Sequence, residues 1–230
     1  MARTFTLPSI RTQVRQRADM QSTAAQLFIT DSEINTYINQ SYTELYDLLI
    51  SSGGQEYYLN QAVIPTGGNI DTYDLPNDFY RLLGVDANIN GNQAVTLRPF
   101  NFNERNLYRS VYAGGWGVGY NLRYRIHGGL RIQFIPAPLN NINITLWYIP
   151  ACPVLGETDT ADGVDGFEEL LVIDAAIKCL QKEESDVSVL MARKAEMVAR
   201  IAAMSPYRDA AAAERVRDVN VELLTAWPWF

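Results

Sequence analysis

Tyr57-Tyr58-Leu59-Asn60-Gln61-Ala62-Val63-Ile64-Pro65-Thr66-Gly67-Gly68-Asn69-Ile70-Asp71-Thr72-Tyr73-Asp74-Leu75 is the stretch at which the chain changes period. Before it, apolar residues recur every three to four positions, as on one face of a helix. Within it, short β-branched and aromatic runs are broken by turn residues, as in half-buried strands. The β character continues to Pro150, with further turn signals at Asn90-Gly91-Asn92 and Gly128-Gly129. Strands are expected near 57–64, 70–75, 82–89, 94–98, 120–126, 130–135 and 142–149, with a short helix over 102–108. Read as sequential hairpins, they make an antiparallel sheet, a sandwich or a small barrel.

Helical patterns flank this region on both sides. Leu7, Ile10, Val14 and Ala18 form one stripe of a short first helix whose polar face is basic through Arg11, Arg15 and Arg17. Thr30 and Glu33 form a capping box, in which hydroxyl and carboxylate each satisfy a backbone N–H left open by the first turn. Ile34, Ile38, Tyr42, Leu45 and Leu49 continue that helix, and Gly53-Gly54 ends it. After a loop over 153–163, a second helical region is expected from Val164, with Asp165 as N-cap. Phe167, Leu170, Leu171, Ile173, Ala176, Ile177 and Leu180 form its apolar face. The period resumes over 189–204 and stops at Ser205-Pro206, because the residue before proline is biased away from helix. An alanine-rich helix over 210–219 and a polar-to-aromatic arm over 220–230 complete the reading. The fold class is therefore α+β: a helical bundle (1–55 and 151–218) with an inserted antiparallel β domain (56–150) and an extended C-terminal arm (219–230).

Composition narrows the function. Hydrophobic content of 47% with 20% charged residues describes a chain that can bury a core. A net charge of -7 removes the electrostatic footprint of a protein that grips DNA or RNA through its phosphates, so tight nucleic-acid binding is not expected, while an acidic wall lets a polyanion pass without sticking. Two cysteines, Cys152 and Cys179, indicate free thiols rather than a disulfide framework. The N-terminus lacks a signal-peptide core and no run reaches the length of a membrane span, so synthesis in a cytosol is expected.

Catalytic and cofactor chemistry is not announced. The single histidine, His127, sits at a hairpin and reads as an exposed turn residue. Gly114-Gly115-Trp116-Gly117-Val118-Gly119 lacks the lysine and Ser/Thr of a phosphate loop. It reads as a loop tip that presents Trp116 to a neighbour. Glu157, Asp159, Asp162 and Asp165 miss the spacing of a calcium loop and read as a solvated acidic loop. No cofactor or metal is expected. Trp227-Pro228-Trp229-Phe230 either folds back on the bundle or anchors the chain in a partner's pocket, as tryptophan commonly does at interfaces.

Several segments, in order, resemble the head-to-tail adaptor (connector, or tail accessory factor) family of short-tailed phages. They are 30–46 (TDSEINTYINQSYTELY), 73–82 (YDLPNDFYRL), 134–138 (FIPAP), 146–150 (LWYIP) and 166–176 (GFEELLVIDAA). The resemblance implies a non-enzymatic virion protein of the head-tail neck. It would form a homo-oligomeric ring, commonly a dodecamer, docked beneath the portal protein and extending the DNA channel toward a tail or nozzle protein. DNA would pass without specific binding. It also implies a C-terminal arm that reaches the portal, making Arg215, Arg217, Trp227, Trp229 and Phe230 contact candidates. Within a ring, the basic face of Arg11, Arg15 and Arg17 and the acidic loop of Asp159 and Asp162 are complementary patches for neighbouring subunits. Trp116 would face the tail. The rival readings are a tail-tube or nozzle subunit of the same virion and, with less support, a cell-wall hydrolase, which needs two carboxylates across a cleft that no spacing here marks.

Overall fold

A computed structural model describes residues 5–53, 55–89, 93–110, 122–138, 142–161 and 166–208. In these residues the chain starts with a two-residue strand, β1 (Phe5–Thr6), and three helices, α1 (Leu7–Arg17), α2 (Thr23–Phe28) and α3 (Asp31–Ser51). Strands β2 (Asn60–Thr66), β3 (Thr72–Asp74), β4 (Phe79–Ile89), β5 (Gln93–Thr96) and β6 (Arg98–Pro99) lead to helix α4 (Arg105–Ser110). Then come β7 (Arg123–His127), β8 (Arg131–Ile135), β9 (Ile142–Pro150) and β10 (Thr160–Ala161), and finally helices α5 (Glu169–Lys182) and α6 (Ser188–Met204).

The Thr30 hydroxyl accepts the Glu33 N–H at 3.4 Å, so α3 starts at the box that its sequence marks. Gly53, with φ +117°, follows its C-cap Ser52, and glycine reaches that backbone conformation without a Cβ clash. The expected α5 start is corrected: the helix begins at Glu169, Glu168 makes no side-chain cap, and Asp165 lies outside the described residues. α2 and the β1–β10 ladder went unread, because a six-residue helix and two-residue strands are too short to show a period.

Helix α5 buries Leu170 through Ala176 without a break, together with Ile177 and Cys179. A helix apolar on nearly all sides must be surrounded. It packs against α1, α3 and α6, so helices on either side of the β region share one core that includes Ile10, Val14, Ile38, Leu45, Leu171, Ile173 and Ile201. The β1–β10 pairing, Phe5 opposite Ala161 and Thr6 opposite Thr160, fastens the chain start to the segment entering α5.

The strands form two four-stranded sheets, in the orders β2-β9-β4-β5 and β3-β8-β7-β6. Their inner faces share one core. Ile64, Val85, Ile144 and Leu146 from the first sheet meet Ile132 and Phe134 from the second. The result is an open sandwich and not a barrel. The expectation of sequential hairpins is corrected: among the described strands only β4–β5 and β7–β8 are antiparallel pairs of consecutive strands, while β2 pairs with β9 and β3 with β8. Gly67-Gly68-Asn69 carries the chain between sheets, with Gly68 and Asn69 at φ +67° and +60°. Turn chemistry specifies a reversal but not a pairing partner. The antiparallel expectation also fails at one point, since β6 runs parallel to β7. The strand expected from Tyr57 begins instead at Asn60, after a 3-10 turn over Glu56–Tyr58.

A third small cluster, Tyr46, Ile50 and Ile149 with Tyr58, Leu83 and Cys152 packed against it, joins sandwich to bundle. The Tyr46 hydroxyl donates to the Pro150 carbonyl at 2.7 Å, and the Tyr80 hydroxyl donates to Asp47 at 2.8 Å. Tyr46→Phe should cost about 1 kcal/mol, the net worth of a typical hydrogen bond plus part of the desolvation left on the carbonyl. Chemical denaturation checks this, with an unchanged midpoint as the contrary result.

Candidate interaction surfaces

Most charged groups packed between the bundle helices are paired within the chain. On α1, Arg11 bonds Asn35 at 2.9 Å and pairs with both Asp31 and Glu157, while Arg15 pairs with Asp31 at 2.6 Å and Arg17 with Glu169 at 3.5 Å. The Arg15 hydrogen bond is the main reason that the Asp31 carboxyl lies below its ordinary range. Arg15 also donates to the Ile29 carbonyl at 3.0 Å. The basic face and the acidic loop therefore meet in one subunit through Glu157. Asp159 turns inward to accept the Gly156 N–H at 2.9 Å, and Asp162 lies outside the described residues. Arg17, with 42% of its side chain exposed, is the member of the α1 trio most open to a neighbour.

The Glu33 carboxylate lies below its ordinary range chiefly through its Lys182 hydrogen bond, with further help from Tyr37 and the Thr30 N–H. A denser network lies where α3, α5 and α6 meet. Asp174, only 3% exposed, accepts the Ser41 hydroxyl at 2.6 Å and faces Lys178 and Lys194, both of which also reach Glu44. Burial pushes the Asp174 carboxyl up, but hydrogen bonds from Lys178, Lys194 and Ser41 outweigh it and hold it below its usual range. Burial likewise lowers the Lys194 ammonium, and Asp174 and Glu44 more than reverse that. Asp174 could have been suspected from sequence as the one acid on the apolar face of α5. Its partners on α3 and α6 carry no local signal.

An open cleft of about 440 Å³ runs over this network, lined by Met191, Val198, Ile177 and Gln181 as well as the charged groups. Every ionised group on its wall already has a counter-charge, so the cleft offers shape rather than unpaired acid or base. Outward from it, α6 exposes Val189 at 78% and also Met191 and Met204, and Tyr207 follows at 82%. These apolar side chains are spread around the helix among the exposed Arg193, Glu196 and Arg200.

The thiols of Cys152 and Cys179 are free, and burial pushes both up to about 11, which keeps them protonated and unreactive at neutral pH. His127 is exposed at the end of β7, beside the positive-φ Gly128 and Gly129. Trp116, Arg215, Arg217, Trp227, Trp229 and Phe230 lie outside the described residues, as does the expected helix over 210–219. Among the described residues no helix is long and apolar enough to cross a membrane.

The SU10 adaptor protein family matches residues 5–220, and so takes in both the bundle and the sandwich inserted into it. The chain belongs to the SU10 adaptor family. It is therefore a structural phage protein, an adaptor among virion components. No curated protein matches the chain. In the adaptor the sandwich is held to the bundle by the Tyr46 junction.

Proposed function

We propose that this adaptor forms a ring, of twelve copies on the family resemblance, between portal protein and tail or nozzle protein, where it extends the DNA channel of the neck. The bundle (1–55 and 151–218) packs side by side with its neighbours, the β insertion (56–150) projects toward the tail with Trp116 at its tip, and the arm (219–230) engages the portal. The observation that carries this reading is the family match across bundle and insertion together. Exposed apolar side chains on α6, Val189 and Met204 beside the charged Arg193, Glu196 and Arg200, suit a contact with a neighbouring subunit.

Arg215, Arg217, Trp227, Trp229 and Phe230 are the proposed portal contacts. Mixing purified portal with the adaptor and weighing the product by native mass spectrometry tests the ring directly: a portal with a fixed complement of adaptors is expected, and free components would refute it. Truncation after Val219 should leave a folded protein that portal no longer retains in a pull-down. Retention would remove the arm's role.

Arg11, Arg15, Arg17, Asp159 and Asp162 remain the proposed subunit-contact groups. Reversing the three arginines to glutamate acts first inside the subunit, since it places like charges against Asp31, Glu157 and Glu169. Arg17→Glu alone separates the two effects. It should weaken assembly with a melting temperature close to that of the native protein, and unchanged ring counts in negative-stain images would exclude the contact.

A further inference from the structure

The adaptor's charge is strongly polarised. Residues 87–150 contain Arg98, Arg105, Arg109, Arg123, Arg125 and Arg131 against a single acid, Glu104. That leaves 13 of the 19 Lys and Arg, but 25 of the 26 Asp and Glu, to the rest of the chain. The insertion as a whole, residues 56–150, is near balance, with Arg81 added to these six arginines and Glu56, Asp71, Asp74, Asp78 and Asp86 added to Glu104, so the cation excess lies in its 87–150 portion while the rest of the chain is acidic.

Those cations are treated differently from the ones in the bundle. Arg11, Arg15, Arg17, Lys178, Lys182 and Lys194 all have carboxylate partners. On the second sheet, Arg131 pairs with Asp74 at 3.4 Å, but among the described residues no carboxylate reaches Arg98, Arg105, Arg123 or Arg125. Arg98 sits beside Arg123 in register, a like-charge pair on adjacent strands that is unfavourable without an outside anion. Aromatic rings hold the guanidiniums in place: Arg105 and Arg125 lie over the Phe102 ring at 4.2 and 5.2 Å, and Arg123 over Tyr108 at 5.0 Å. Four guanidiniums without a carboxylate, three of them held against aromatic rings, on strands β6 and β7 and the neighbouring helix α4 call for an external polyanion.

We infer that this face binds the phosphate backbone of duplex DNA. Arginine matches phosphate through paired N–H donors, and rings that hold guanidiniums flat keep those donors ready. The contact is sequence-independent, because nothing here reads a base edge. Its use, to hold or slow DNA at the neck, rests on the adaptor reading. The binding itself does not.

The test is fluorescence anisotropy of a short labelled duplex with the full-length adaptor over a salt series. Four phosphate contacts give a slope of log affinity against log salt of about -3.6, and Arg98→Gln with Arg105→Gln should halve it and weaken binding roughly tenfold at low salt. Arg193→Gln with Arg200→Gln removes the same charge from α6 and should leave both unchanged. The native slope alone keeps the inference testable if the sandwich pair folds poorly. No binding at low salt, equal losses in the two pairs, or tighter binding of poly-L-glutamate than of duplex overturns the assignment. None of these outcomes bears on portal binding, so the adaptor reading stands or falls separately.

Discussion

Asp174→Ala is expected to destabilise the bundle by about 3 kcal/mol, because removing one member of a buried ion network strands the charges that it neutralised. Lys178 and Lys194 would keep 20% and 32% of their side chains in water and could partly turn outward, which holds the loss at the lower end of the range for broken buried pairs. Ser41 would lose its acceptor as well. The triple change Asp174→Leu, Lys178→Met, Lys194→Met should recover most of the loss, since apolar residues of similar volume often replace a buried network without cost. Urea denaturation of the single and triple variants reads both effects. A single variant as stable as the native protein would show that the network is not a stabilising element.

The same network sets an acid limit. The Asp174 carboxyl titrates below its unfolded value in the folded protein, so its stabilisation is complete above that unfolded value, near 4, and is lost as pH falls below it. Lys194 has the opposite sign: its folded value is raised, so its contribution is complete below the unfolded value near 10.5 and fades as pH rises beyond it. A plateau between these limits is expected from melting temperatures across pH. With Asp174→Ala the acid-side fall should be shallower.

Phe134→Ala is the second large effect, at about 3–5 kcal/mol, the usual range for emptying a fully buried aromatic site. Phe134 is 0% exposed, sits where the two sheets face each other and packs against Tyr73 with ring centroids 5.8 Å apart. The sandwich core and the bundle core are separate clusters joined by the small Tyr46 junction. The loss should therefore fall on the sandwich first. Limited proteolysis should cut within residues 56–150 while the helical circular-dichroism signal persists. Resistance equal to that of the native protein would mean that the two sheets do not depend on this contact.

The helices were legible to the extent that they are amphipathic or capped. The Thr30 box and the stripe from Ile34 to Leu49 carried α3, and the apolar run from Phe167 carried α5, because burial on one face leaves a 3.6-residue period in the sequence itself. Strand existence was legible for the same kind of reason: Arg131-Ile132-Gln133-Phe134 alternates between solvent and core. Strand partners were not. β2 finds β9 across the whole insertion, and nothing in Asn60–Thr66 names Ile142–Pro150. The basic face of α1 was visible, but the sequence could not say that Asp31 and Glu157 of the same chain would occupy it.

The amino-acid order alone determined where helices and strands lie and the α+β class, since periodicity and caps are encoded within a few residues of where they act. Tertiary structure decided the sandwich topology, the buried Asp174 network and which cations meet a carboxylate, as Arg11 and Lys178 do and, among the described residues, Arg123 and Arg125 do not. Pairing partners and charge neutralisation depend on distances between residues far apart in the chain, and only the packing of the two cores sets those distances.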